Sequence, residues 1–139
     1  VRVLVSIDAG SKEVHEKVKQ VKSYNKVWKN LEEYAKNQPI AADYVKAKYI
    51  IVPGVNDTEE EIKLWLEKCK DINIKSVVLN LDFNWIMKNV DNDLKPIYNL
   101  MKYTQAKANE MAMNCELYGQ IFQVKCEVEK SREENIAGF

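Results

Sequence analysis

The feature that most constrains the fold of this chain is a pattern that occurs three times, in which an apolar run ends in polar residues and leads into a helical stretch. The apolar runs cover residues 1–8, 45–52 and 76–82. Such runs, bounded by turn residues, predict strands, and apolar residues at intervals of three and four predict helices. Alternation of the two predicts parallel strands joined by right-handed crossovers. We therefore expect an α/β fold built from parallel β/α units.

Helices are predicted over residues 12–19 and 24–37, then from Thr58 onward, and finally over residues 94–114. The third helix has the clearest start, because Thr58 and Glu61 form a capping-box pattern and three acidic residues in a row favour the positive end of the helix dipole. The apolar residues that follow lie along one helical stripe, which predicts a helix with one buried face.

The remaining segments are less regular. Residues 83–93 are rich in Asn and Asp and are expected to form a loop, whereas residues 117–128 fit either a fourth strand or a helix broken at Gly119. The expected organisation is a single domain over residues 1–128, followed by a charged, frayed tail over residues 129–139.

Composition excludes several classes of function. The chain of 139 residues has 21 basic and 21 acidic residues and no basic block, so nucleic-acid binding is not expected. No apolar run reaches the length of a membrane span, and no signal peptide is recognised, which favours a cytoplasmic protein. The spacing of the three cysteines matches no compact metal motif, and Cys69 falls on an apolar helix stripe as a buried thiol would.

The chain opens with Val1, directly within a predicted strand and without an initiator Met. We interpret this as a sign that the chain is a piece of a longer polypeptide. A processed or trimmed start is the alternative.

Polar side chains at the end of the first strand form the first candidate site. Ser6 and Asp8 point to the same face because strand side chains alternate. A hydroxyl and a carboxylate about 7 Å apart along one strand can bind a vicinal diol such as that of ribose. An Asp at a strand end is also typical of a turn or a cap.

The other two strands carry polar residues that would lie near this pair. Asn80 and Asp82 share one face of the third strand, and polar residues at the end of a buried strand are costly unless they meet partners. Lys48 lies at the entrance of the second strand, and Asp57 after it either caps the next helix or faces a ligand. Because parallel strand ends converge at one edge, we expect a shared polar pocket there.

Catalytic motifs are otherwise missing from the sequence. His15, the only histidine, lies in a charged helical segment and is expected to be a solvated surface residue. No HExxH, Walker lysine loop or GxGxxG is present.

Three segments together resemble the C-terminal half of the core domain of radical S-adenosylmethionine enzymes, over residues 1–85. VSIDAG is similar to the fourth strand of the family, where Ser6 and Asp8 would contact the ribose or methionine moiety. KYIIVPGVNDTEEEI is similar to the fifth strand and its exit in glycyl-radical activating enzymes, where Lys48 would lie near the carboxylate of the cofactor. SVVLNLDFNW resembles the sixth strand, where Asn80 and Asp82 would help to seat the adenine.

The resemblance implies half of a (β/α)6 partial barrel of the TIM type, from an oxidoreductase that cleaves S-adenosylmethionine reductively to a 5′-deoxyadenosyl radical. It also implies a [4Fe–4S] cluster, but the CxxxCxxC motif that binds it is absent from this chain. We therefore expect the missing N-terminal half of the barrel to hold the cluster, and the isolated chain to be inactive. The strand edge left at residues 1–8 would recruit a partner, such as a second copy of the chain.

Two other interpretations remain open. The chain is alternatively a small, non-catalytic α/β module that binds a nucleotide or a protein, which predicts strands on both sides of the first strand. It is also compatible with a fragment of another kind of β/α-barrel enzyme.

Overall fold

The computed structural model describes residues 3–38, 45–89 and 91–118, and these alternate between strands and helices. The strands are β1 (Val3–Ser6), β2 (Val45–Ile51), β3 (Ser76–Leu81) and β4 (Asn114–Leu117). The helices are α1 (Lys12–Lys19), α2 (Tyr24–Lys36), α3 (Glu59–Asp71), α4 (Phe83–Asn89) and α5 (Lys95–Glu110). The predicted α/β class is confirmed.

The four strands form one parallel sheet in the order β1-β2-β3-β4, so that each strand pairs with the next one along the chain. Within the described residues β1 and β4 are the two edges. Sequential order of this kind is what consecutive β/α units produce when each crossover returns to the same side of the sheet.

The two faces of the sheet differ in chemistry. Side chains of β2 alternate strictly between buried and half-buried, as in a strand with one face in the core, whereas β3 is buried on both faces except at Asn80. The core contains Ala47, Tyr49 and Ile51 together with apolar residues of α2, α3 and α5. Tyr49 and Trp65 are fully buried there and meet edge to face, with ring centroids 5.0 Å apart.

The start of α3 confirms one half of the predicted capping box. Thr58 Oγ1 accepts a hydrogen bond from the backbone N–H of Glu61 at 3.2 Å. The Glu61 carboxylate binds elsewhere: it accepts from the backbone N–H of Ser11 at 2.5 Å and from Ser11 Oγ at 2.7 Å. The acidic residue therefore ties α3 to the loop after β1 instead of completing its own cap.

The prediction of a loop over residues 83–93 is wrong, because Phe83–Asn89 is helical. Asp82 starts this helix by accepting a hydrogen bond from the N–H of Asn84 at 3.0 Å, as an N-cap residue does. Burial of Ile86 holds it against the core. The Asn residues that indicated a loop are tolerated because the apolar contacts outweigh their low helix propensity.

The predicted end of the last helix is also wrong by a few residues. α5 ends at Glu110, since Ala112 takes a left-handed φ of 59° and the N–H of Met113 turns back to the carbonyl of Ala108 at 2.8 Å. β4 then begins at Asn114, before the segment for which strand and helix were both considered. Residues 119–128 and the predicted tail lie outside the described residues.

None of the described helices is both long and apolar enough to cross a bilayer.

Candidate functional site

The face of the sheet opposite this core, here called the polar face, carries hydrophilic side chains on all four strands, although the fully buried Val78 of β3 also lies on it. Ser6 of β1 is the Cα partner of Lys48 of β2, and that row continues across β3 to Glu116 of β4. Lys46 and Asn80 lie on the same face, in the rows on either side. The parallel strands therefore place three of the five predicted site residues on one surface.

Ser6 and Asp8 form the pair that the sequence predicts. The Ser6 hydroxyl donates to Asp8 Oδ1 at 3.0 Å, although Asp8 itself lies beyond the end of β1. Asp8 is only 3% exposed, and its two oxygens also receive the backbone N–H of Ile50 at 2.7 Å and the Lys19 ammonium at 2.8 Å. The Asp8 carboxylate is thus engaged by groups of the chain itself.

Lys48 lies in the middle of β2 as the fourth of seven residues, so its predicted place at the strand entrance is wrong. Its side chain is half-buried on the polar face beside Ser6. In the ranges that the structure covers, its ammonium has no hydrogen-bond or ion-pair partner. A half-buried cation without a counter-charge favours the binding of an anionic group.

The neighbouring lysine on the same strand is fully engaged. Lys46 Nζ lies 2.7 Å from Glu116 Oε1, and Tyr118 Oη donates to the other carboxylate oxygen at 3.1 Å. Lys46 is therefore less available to a ligand than Lys48, although the two lysines share a strand and a face.

Asn80 and Asp82 have different roles at the end of β3. Asn80 Oδ1 accepts from the backbone N–H of Leu81 at 2.9 Å, which leaves its amide N–H groups available as donors on the polar face. Asp82 caps α4, as described above, and its carboxylate is partly exposed. Asp57 likewise serves the backbone, since its Oδ1 accepts from the N–H of Gly54 at 2.9 Å in the turn after β2.

Asn56 is the residue of this region that the sequence analysis missed. It is fully buried, and its side-chain amide donates to the carbonyls of Asp8 at 2.9 Å and Ile50 at 2.8 Å. Its Oδ1 accepts from the N–H of Val52 at 2.7 Å, and its own carbonyl accepts from Tyr49 Oη at 2.7 Å. Asn56 therefore joins the ends of β1 and β2. The only signal in the sequence is an amide residue directly after the tight Pro-Gly turn.

His15 is not the solvated residue that the sequence predicts, because it is only 1% exposed. Nε2 lies 3.0 Å from Ser23 Oγ, and the ring meets Tyr24 edge to face at 5.7 Å. Burial first, and then the nearby Lys19 ammonium, lower the pKa of His15 below its usual value of 6.5. The prediction failed because His15 lies on the side of α1 that packs against Tyr24, whereas Glu13 and Lys17 of the same helix are exposed.

The two cysteines within the described residues do not offer ligands for a metal cluster. Cys69 is fully buried, as predicted, and burial raises its pKa far above the usual value. Burial and the neighbouring Glu116 raise the pKa of Cys115 to about 12. In the part of the chain that the structure describes, no three His, Cys, Asp or Glu side chains converge as a metal site.

A cleft lies between α2 and α3, on the helical side of the molecule. This cleft has a volume of about 270 Å³. The Lys68 ammonium lies 5.2 Å from the ring centroid of Tyr24 and 5.5 Å from that of Trp28, so a cation of the chain itself covers the aromatic surface. The polar face is the better candidate because Lys48 has no counter-charge among the described residues.

Comparisons with protein-family models, with curated proteins and with solved structures found no match to this chain.

Proposed function

We propose that the chain forms the second half of a radical S-adenosylmethionine barrel, and that its polar face holds part of the cofactor. The observation that carries the proposal is the Lys48 ammonium, which is half-buried, in register with Ser6 and without a partner in the described ranges. The sequential parallel strands, with the helical core on one face and hydrophilic side chains on the other, support it as well. In a barrel of this kind the helix-free face lines the interior, and ligands bind at the C-terminal ends of its strands.

The free groups on the polar face fit the chemistry of S-adenosylmethionine. Lys48 supplies a cation for the carboxylate of the methionine moiety, and the Asn80 amide supplies donors for the ring nitrogens of adenine. Ser6, the last residue of β1 and the Cα partner of Lys48, meets the ribose. When bound and reduced, the cofactor supplies a carbon radical for hydrogen abstraction; this chain contributes binding and orientation.

The iron–sulfur cluster does not fit the described residues. The cysteines at positions 69 and 115 are held as thiols by burial, and they lie in different elements. No CxxxCxxC motif occurs in the sequence, so the proposed enzyme takes its cluster ligands from polypeptide outside it. Three preceding β/α units would place a CxxxCxxC motif about 80 to 120 codons before Val1.

The test uses the protein expressed from its complete reading frame and reconstituted anaerobically with iron and sulfide. We expect a [4Fe–4S] cluster, and formation of 5′-deoxyadenosine from S-adenosylmethionine in the presence of dithionite. Lys48→Met should weaken binding of S-adenosylmethionine about tenfold to a hundredfold, because it removes a charged hydrogen bond to the carboxylate. Lys63→Met, an exposed lysine of α3, is the matched control and should leave binding unchanged.

Two results would contradict the proposal. One is a reading frame that begins near Val1 and encodes no cluster motif, combined with no affinity for S-adenosylmethionine. The other is a stoichiometric cluster on the 139-residue chain alone. Binding of a nucleotide or a protein without any cluster would instead favour the non-catalytic module, although β1 has a strand on only one side among the described residues.

A further inference from the structure

Asp8 is the most highly connected of the predicted ligand residues. Oδ1 accepts from Ser6 Oγ at 3.0 Å and from the N–H of Ile50 at 2.7 Å, and Oδ2 lies 2.8 Å from Lys19 Nζ. The side chain is 3% exposed. A carboxylate that is buried and already has three donors has little capacity left for a ligand.

The contact with Asp8 decides what Ser6 can do. A carboxylate only accepts hydrogen bonds, so the Ser6 hydroxyl must be the donor in this pair. Its single proton is therefore committed to Asp8, and the oxygen presents only lone pairs to the polar face. Toward a ligand, Ser6 is restricted to accepting a hydrogen bond.

Lys19 stabilises the Asp8 carboxylate through an ion pair with Oδ2, the oxygen that Ser6 does not contact. It is the last residue of α1, and its side chain is about one-third exposed, so it reaches from solvent to the buried carboxylate. Without it, Asp8 would be a buried anion without an ion-pair partner, which is costly. The end of α1 thereby holds the Asp8 carboxylate in position, and Asp8 in turn orients the Ser6 hydroxyl.

We propose that Asp8 and Lys19 are positioning residues that keep Ser6 as a hydrogen-bond acceptor for a ribose hydroxyl of the adenosyl ligand, and that Asp8 does not touch the ligand itself. This inference rests on the proposed function. It changes the role of Asp8 from a ligand of the diol to a support behind Ser6, and it adds a residue of α1 to the binding machinery. The ligand group facing Ser6 must be a donor, which a hydroxyl is and an ether oxygen is not.

The test is a double-mutant cycle on binding of S-adenosylmethionine to the protein from its complete reading frame. We expect Lys19→Met and Ser6→Ala each to weaken binding about threefold to tenfold, and the double variant to be no weaker than Ser6→Ala alone. Lys19→Arg should restore binding because it keeps the ion pair. Lys17→Met, an exposed neighbour on α1, is the control and should bind as the unmodified protein does.

A second probe separates positioning from general damage to the fold. 5′-Methylthioadenosine should show the effect of Lys19→Met, whereas its 2′,3′-dideoxy analogue, which lacks the hydroxyls, should not. If Lys19→Met does not fold at the assay temperature, Lys19→Gln replaces it, and Ser6→Ala with the two probes tests the acceptor role by itself.

The outcomes are distinct. Additive losses in the double variant, or equal losses with the dideoxy probe, would overturn the inference and leave the proposed function standing. Unimpaired binding by Ser6→Ala would do the same. No binding of any adenosyl probe by the unmodified protein would overturn the inference and the proposed function together.

Discussion

At the scale of single residues, the ends of the first two strands are joined by buried polar groups. Asn56 contributes three side-chain hydrogen bonds to backbone atoms, and Asp8 contributes a bond to the N–H of Ile50 where pairing with β1 has stopped. These side-chain contacts provide hydrogen-bond partners for backbone groups that have no partner on a neighbouring strand. Buried backbone groups left without partners are costly, so the two side chains stabilise the strand ends that carry the candidate site.

Asn56→Ala should lower the free energy of unfolding by about 2–5 kcal/mol, because it leaves three buried backbone groups without partners. Urea denaturation followed by circular dichroism measures the change. Asn30→Ala, at an exposed position of α2, is the control and should have an effect within about 0.5 kcal/mol. Equal stability of the Asn56 and Asn30 variants would show that the buried amide does not join the strands.

His15 makes stability depend on pH in the mildly acidic range. Its pKa is lowered in the folded chain, so below about 6.5 the unfolded chain binds the proton more readily than the folded one. The contribution to stability is complete above that pH and is lost as the pH falls toward the folded pKa. Because His15 is the only histidine, His15→Gln should flatten the dependence of unfolding free energy on pH between 5.5 and 7.5. A slope that persists in the variant would assign the titration to another group.

Much of the candidate site was predictable at this scale because strand alternation fixes which residues share a face. Ser6, Lys48 and Asn80 meet on the polar face for that reason. The bonding of Asp8 to groups of the chain itself was not predictable, since Lys19 and Ile50 approach it from other elements. No rule of local spacing brings those groups together.

At the scale of elements, the loop between β1 and α1 packs directly on α3. A Cβ on Gly10 would lie 2.6 Å from Leu64 Cβ and 2.7 Å from the backbone nitrogen of Trp65, and would also collide with the carbonyl of Glu61. Tyr24 Oη donates to the Gly10 carbonyl at 2.6 Å from the start of α2. The glycine permits a close approach that no other residue would allow.

Gly10→Ala should therefore destabilise the chain by about 3 kcal/mol, because the new methyl group meets backbone atoms that cannot move aside. Gly54→Ala is the matched comparison: its Cβ would have open space, but φ is +84°, so the cost is backbone strain of about 1–2 kcal/mol. Thermal unfolding measures both. Equal losses in the two variants would mean that the packing of the loop on α3 is loose.

Elements with a strong apolar period were predicted well, and those decided by tertiary contacts were not. α1 and α2 match their predicted ranges within one residue, and the start of α3 follows its cap. α4 was missed because its sequence is locally typical of a loop, and only Asp82 and a buried apolar side chain make it helical. Local propensity is outweighed wherever a segment can bury apolar surface.

At the scale of the whole molecule, the described part of the chain is a parallel sheet with helices packed on one face. The fold class and the parallel strands follow from the alternation in the sequence. Closure of the sheet into a barrel does not follow from the alternation, and among the described residues β1 and β4 are the edges of a four-stranded sheet.

The edge strand β1 gives a prediction about association. Its outer side has no strand partner among the described residues, and Leu4 is half exposed there. We expect the 139-residue chain to dimerise at high concentration through this edge. Leu4→Lys should shift the molecular mass from light scattering toward the monomer, whereas Leu64→Lys, an exposed leucine on α3, should not. A monomer at every concentration would contradict this prediction.

The bonds around the first strand also bear on how the chain is made. Ser11 is tied to Glu61, fifty positions later, and Asp8 is tied to Ile50, forty-two positions later. A nascent chain leaves the ribosome from its N-terminus, so the first β/α unit emerges well before its partners have been synthesised. Until the second unit has been synthesised, the apolar strand is exposed and the Asp8 carboxylate lacks its partner on β2. The speed of translation over the second unit therefore sets how long chaperones must protect the first unit.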